Sequence, residues 1–124
     1  MMKKLSSGAQ QDLEVVIQAR RKLDRLHTLV EQFSVAKMGP AQDGIAAQIT
    51  RAALELGRSL LQIGLGPMAD QANQLGMLAR RGGGPAMKLR SMRDYVAQLR
   101  PGLERAERTI VEKDAKAPAG DENA

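Results

Sequence analysis

The sequence predicts an all-α fold: an antiparallel up-and-down four-helix bundle with two long helices, a short third and a long fourth. Glycine and proline punctuate the chain at Gly39-Pro40, Gly64-Leu65-Gly66-Pro67 and Gly82-Gly83-Gly84-Pro85. The blocks between these points repeat apolar residues at helical spacing, and no segment alternates with the period of two that a strand requires. At each point glycine stands where a helix end favours a left-handed residue, and proline where the next helix begins without losing a hydrogen bond.

The first block places Leu13, Val16, Leu23, Leu26, Val30 and Phe33 on one face and predicts a helix from about Ala9 to Met38. The second carries Ile45, Ile49, Ala52, Leu56, Leu60 and Ile63 and predicts a helix from about Ala41 to Ile63. Beside its stripe run Ala46, Ala53 and Gly57, small enough to admit another backbone closely. The third block is short, with Met68, Ala72, Leu75 and Ala79 on one face. The fourth steps through Leu89, Met92, Val96, Leu99, Leu103, Ala106 and Ile110 without a break. Pro101 falls inside that run and cannot donate to the Ala97 carbonyl, which predicts a kink rather than an end. The loops are short, so consecutive helices are expected to be antiparallel neighbours.

A chain of 124 residues amounts to one domain with a self-sufficient core. Phe33 and Tyr95 are its only aromatics, so that core is aliphatic. Residues 1–8 and 114–124 lack periodicity and read as flexible tails around a bundle spanning 9–113. The absence of cysteine excludes disulfides and thiolate chemistry and fits a reducing compartment. The start, Met-Met-Lys-Lys-Leu-Ser-Ser-Gly, lacks the apolar run of a secretory signal, and no stretch suffices for a membrane span. The expected location is cytoplasmic, with no membrane partner.

Few residues suggest chemistry. His27 is the single histidine, and no Glu-x-x-His pairs suited to a two-metal bundle occur, so neither metal nor cofactor is expected, and the chain is not expected to be an enzyme. Gly82-Gly83-Gly84 lacks both the preceding strand and the Lys-Ser/Thr ending of a nucleotide loop. Around it cluster Arg80, Arg81, Lys88, Arg90 and Arg93, with Arg100 further along, a basic patch suited to an acidic partner or a nucleic-acid backbone. The net charge of +5 is spread among interspersed signs and almost no aromatic is present to stack on bases, so nucleic acid is the less favoured partner.

The run Gly66 to Gly82, followed by Leu89 to Leu103 with Arg100-Pro101-Gly102-Leu103-Glu104, resembles the last two helices of histidine-phosphotransfer domains, over about residues 40 to 110. The resemblance implies a four-helix bundle that docks on a receiver domain or histidine kinase and passes phosphate through a histidine on its second helix. The family's histidine is followed at three and four residues by lysine and glycine. The corresponding window here, Ala53 to Leu56, reads Ala-Leu-Glu-Leu and leads into Gly57-Arg58. It holds no histidine, so the resemblance implies a docking module without its usual acceptor. The antiparallel hairpin sets His27 at the height of Leu54, which makes a displaced acceptor conceivable, although Glu31 one turn on would repel a phosphoryl group.

Two readings follow. One is a non-catalytic phosphotransfer-like module whose docking face comprises His27, Leu54, Gly57, Arg58 and Leu61. The other is a structural or chaperone-like helical adaptor, including a homodimer that buries Leu54, Leu61 and Met77.

Overall fold

The computed structural model describes residues 5–115, which form four helices: α1 (Ser7–Val35), α2 (Pro40–Gln62), α3 (Gly66–Arg80) and α4 (Pro85–Ala115). Cross-helix bonds show the directions. Arg20 meets Glu107, Asp24 meets Arg100 and Glu31 meets Arg93, so residue numbers rise along α1 as they fall along α4. Lys22 with Ser59 and Phe33 with Gln42 give the same reversal between α1 and α2. Each helix packs on the next and α4 returns to α1, so the four surround one core.

That core is aliphatic. Leu23 and Leu26 of α1, Ile49, Leu56 and Leu60 of α2, Leu75 of α3 and Met92, Leu99 and Leu103 of α4 are all but inaccessible, with Phe33 closing one end. Burial of each such side chain contributes about 1.5–3 kcal/mol. Ser59 is the one buried polar residue among those described; its hydroxyl donates to the Glu55 carbonyl at 3.3 Å and accepts from Lys22 Nζ at 2.7 Å.

The α2–α3 seam is built from small residues. A Cβ on Gly76 would lie 3.2 Å from the Ala53 Cβ and 3.5 Å from the Thr50 carbonyl oxygen, and one on Gly57 would lie 2.5 Å from Asn73 Oδ1. Leucine at these positions would hold the two helices apart. The single hydroxyl hydrogen of Thr50 is shared between the Ala46 carbonyl of its own helix at 3.0 Å and the Gly76 carbonyl across the same contact at 3.3 Å.

The α2–α3 turn follows the expected chemistry. Gly64 has φ +77°, its amide donates to Leu61 and the Leu65 amide donates to Leu60, the paired bonds that close a helix with a left-handed residue. The other two turns differ from expectation. There α1 and α3 end on the extended residues Ala36 and Arg81, and the left-handed glycines, Gly39 and Gly83, belong to the loops that start the next helix. Carbonyls at both helix ends are met from the following helix instead, Phe33 by Gln42 Nε2 at 3.3 Å and Ala79 by Lys88 Nζ at 3.4 Å.

The bundle is longer at its ends than 9–113. The Ser6 hydroxyl accepts from the Ala9 amide and starts α1 at Ser7, the Ser6 amide donates to Asp114 Oδ2 at 3.1 Å, and α4 runs through Ala115. Of the expected tails, residues 1–4 and 116–124 lie outside the described residues. Helix α1 ends at Val35, short of Met38, while α4 continues through Pro101 without interruption. No described helix is long and apolar enough to cross a membrane.

Candidate docking surfaces

His27 is exposed on α1 and opens toward α4. It lines a groove of about 670 Å³ with Glu31, Arg93, Ala97, Arg100 and Pro101. The imidazole forms no hydrogen bond with the described residues. Pro101, which has no amide hydrogen to offer the Ala97 carbonyl, lines the same groove as Ala97.

Of the four charged residues that line the groove with His27, Glu31, Arg93 and Arg100 are paired and Glu104 is not, among the described residues. Arg93 grips Glu31 with two bonds, Nε to Oε2 at 2.9 Å and Nη2 to Oε1 at 2.7 Å. Hydrogen bonding to Arg93 holds the Glu31 carboxyl below its ordinary value, and the same bond raises Arg93. Arg100 Nη1 reaches Asp24 Oδ1 at 2.9 Å. The expected repulsion of a phosphoryl group by Glu31 is thereby countered, because its charge is already met by a guanidinium.

The five residues expected to form one docking face do not come together. Gly57 is buried against Asn73 and Ala69 of α3 and presents nothing to solvent. His27 opens to the α4 side. Leu54, Arg58 and Leu61 remain exposed on α2 and, at steps of four and three, share one side of the helix. Leu54 is 43% and Leu61 59% exposed, with Met77 of α3 at 56%.

The basic patch is reduced and extended at once. Arg93 leaves it, held by Glu31. Arg80, Arg81 and Lys88 line a cleft between the α1–α2 and α3–α4 turns, which also takes in Phe33, Met38 and Gln42. That company was readable in principle, since an antiparallel bundle brings its first and third turns to one end. Among the described residues no three His, Cys, Asp or Glu side chains gather as metal ligands would. No protein-family model, curated protein or solved structure matches this chain.

Proposed function

We propose that the chain is a non-catalytic docking module of phosphotransfer-like architecture that binds a protein partner through the outer face of α2. The observation that carries this reading is the exposure of Leu54 and Leu61 on either side of Arg58. Two large apolar side chains held in water beside a cation suit an interface with an apolar centre and a polar margin. The resemblance of α3 and α4 to the last helices of phosphotransfer domains makes a receiver domain or histidine kinase the partner class. The α2 face carries no histidine, so binding there needs no phosphoryl transfer, and a cytoplasmic location suits such a partner.

A structural adaptor, assembled as a homodimer, is favoured by a separate observation: Met77 is exposed on α3, the neighbour of α2, and would join both leucines in a self-complementary patch.

A pull-down of receiver domains and kinases from the source organism separates these readings when run with wild type, the double variant Leu54→Glu/Leu61→Glu, and His27→Ala. The docking reading expects a partner that the double variant loses and His27→Ala keeps. Phosphoryl label on wild type that vanishes in His27→Ala would end the non-catalytic assignment. Failure of wild type to bind any of the panel, with a dimer in light scattering that the double variant dissociates, would establish the adaptor instead.

A further inference from the structure

Three arginines are held across the bundle, while several cations gather without an ion pair at one of its ends. Along the α1–α4 seam Arg20, Arg93 and Arg100 each hold a carboxylate of the facing helix at 2.7–2.9 Å. At the end formed by the α1–α2 and α3–α4 turns, Lys37, Arg80, Arg81, Lys88 and Arg90 form no ion pair with any described residue. The first turns of α2 and α4 contribute one acidic side chain between them, Asp43, which lines the cleft between the two turns beside Arg80, Arg81 and Lys88 and leaves its charged lining positive. Unpaired cations of one sign, gathered on one surface, set up a field that attracts an opposite charge.

The same end is concave and partly apolar. A cleft of about 530 Å³ lies between the turns, with buried Phe33 and Ala79 at its base and exposed Met38, Arg80 and Arg81 at its edge. Lys88 lies in the cleft, its ammonium 5.9 Å from the centre of the Phe33 ring and 3.4 Å from the Ala79 carbonyl oxygen. This cation is held in place without a carboxylate. Met38 and Met87 are 76% and 79% exposed, more open than either leucine of the α2 face. Methionine adapts its shape to whatever apolar group it meets.

We propose that this cleft receives an acidic segment of a partner protein. Asp or Glu side chains of the segment pair with Arg80, Arg81 and Lys88, and an apolar side chain between them settles against Ala46, Ala47 and Met38. Guanidinium groups donate two parallel bonds to a carboxylate, which favours a peptide over a diffuse anion. Single-stranded nucleic acid needs open aromatic faces, and Phe33 is buried at the base of the cleft. A bilayer surface would meet the methionines but leave the cleft unfilled. The site lies apart from Leu54 and Leu61, so it stands whether or not the α2 face binds a receiver or kinase.

The test uses the full chain and a short fluorescein-labelled peptide of Asp and Glu with interspersed leucines, followed by fluorescence anisotropy at low and physiological salt. Its controls are the Asn/Gln peptide of the same pattern, labelled single-stranded DNA, and vesicles of phosphatidylserine in phosphatidylcholine. The acidic peptide is expected to bind, and Arg80→Glu/Arg81→Glu to weaken it by about tenfold or more. Ala47→Trp, which fills the cleft without altering charge, is expected to weaken it several-fold, whereas Arg108→Glu, on an exposed position of α4 outside the cleft, leaves it unchanged. Circular dichroism verifies that these exposed substitutions keep the helices. The proposal is overturned if the Asn/Gln peptide binds equally, if Arg108→Glu weakens binding as much as Arg80→Glu/Arg81→Glu, or if the cleft-filling variant binds like wild type. Preference for DNA or vesicles over the peptide, abolished by the same charge reversal, would assign the surface to those partners instead.

Discussion

Gly57 of α2 and Asn73 of α3 face each other so closely that a Cβ on the glycine would lie 2.5 Å from the asparagine Oδ1. The nearest backbone atom, the Ala69 carbonyl oxygen, is 3.6 Å away. What blocks the added carbon is therefore the far end of a side chain that can turn aside. Gly57→Ala is expected to fall within about 1 kcal/mol of wild type, the helix-propensity gain of about 1 kcal/mol offsetting the displaced amide. Gly57→Leu cannot be absorbed that way and should lose about 1–3 kcal/mol by forcing the seam open. Urea denaturation of both variants decides it; equal losses would mean that Asn73 is fixed.

Two leucines two residues apart on α2 should respond oppositely to truncation. Leu56 is fully buried and Leu54 is not. Leu56→Ala is expected to cost about 2–5 kcal/mol through lost burial and the cavity left behind. Leu54→Ala should stay within about 0.5 kcal/mol in dilute protein. A large loss at Leu54 that grows with protein concentration would instead identify a dimer interface.

Pro101 deprives Ala97 of a helical hydrogen bond inside an otherwise continuous α4. Pro101→Ala restores the donor and is expected to stabilise the fold by about 1–3 kcal/mol, measured by thermal or urea unfolding. An unchanged or lowered stability would show that proline suits α4 at this position better than alanine does.

Acid should weaken the α1–α4 seam. Arg93 donates two bonds to Glu31 and holds its carboxyl below the ordinary value of 4.5, so the unfolded chain binds the proton more readily than the folded one. The contribution is complete above that ordinary value and disappears as pH falls through the lowered one. Both side chains are largely exposed, so the effect is small. Melting temperature followed against pH should fall less steeply on the acid side for Glu31→Gln than for wild type. Parallel curves would mean that the pair adds nothing to stability.

The apolar periodicities placed all four helices, because the residues that repeat at three and four, such as Leu23, Leu56 and Leu99, are the residues that fill the core. The ends were less legible. Helix α1 starts on a Ser6 cap and ends where Gln42 reaches back to Phe33, and the second of these depends on a neighbour that local sequence does not specify. The docking face failed for a related reason. His27 lies one step off the buried stripe, and whether that step leads toward α2 or α4 depends on the handedness of the bundle, which periodicity does not encode. Gly57 belonged to a small-residue stripe that predicted close helix approach, and a glycine that admits a helix is by that fact not open to a partner. The paired state of Arg93 was invisible because Glu31 is 62 residues away in sequence.

The hydrogen bond from Ser6 to Asp114 joins the start of α1 to the end of α4, and these two helices pack along their length as sequential ones do. The architecture is therefore a ring of four seams in which the order of helices along the chain has no privileged starting point. A circular permutant that bridges residues 6 and 114 with a short linker and opens within Gly82-Gly83-Gly84 would keep every one of the four seams. Ser6 and Asp114 themselves lie at the end opposite the basic cleft, so a fluorophore or tether attached at Ser6 leaves that cleft facing the solution.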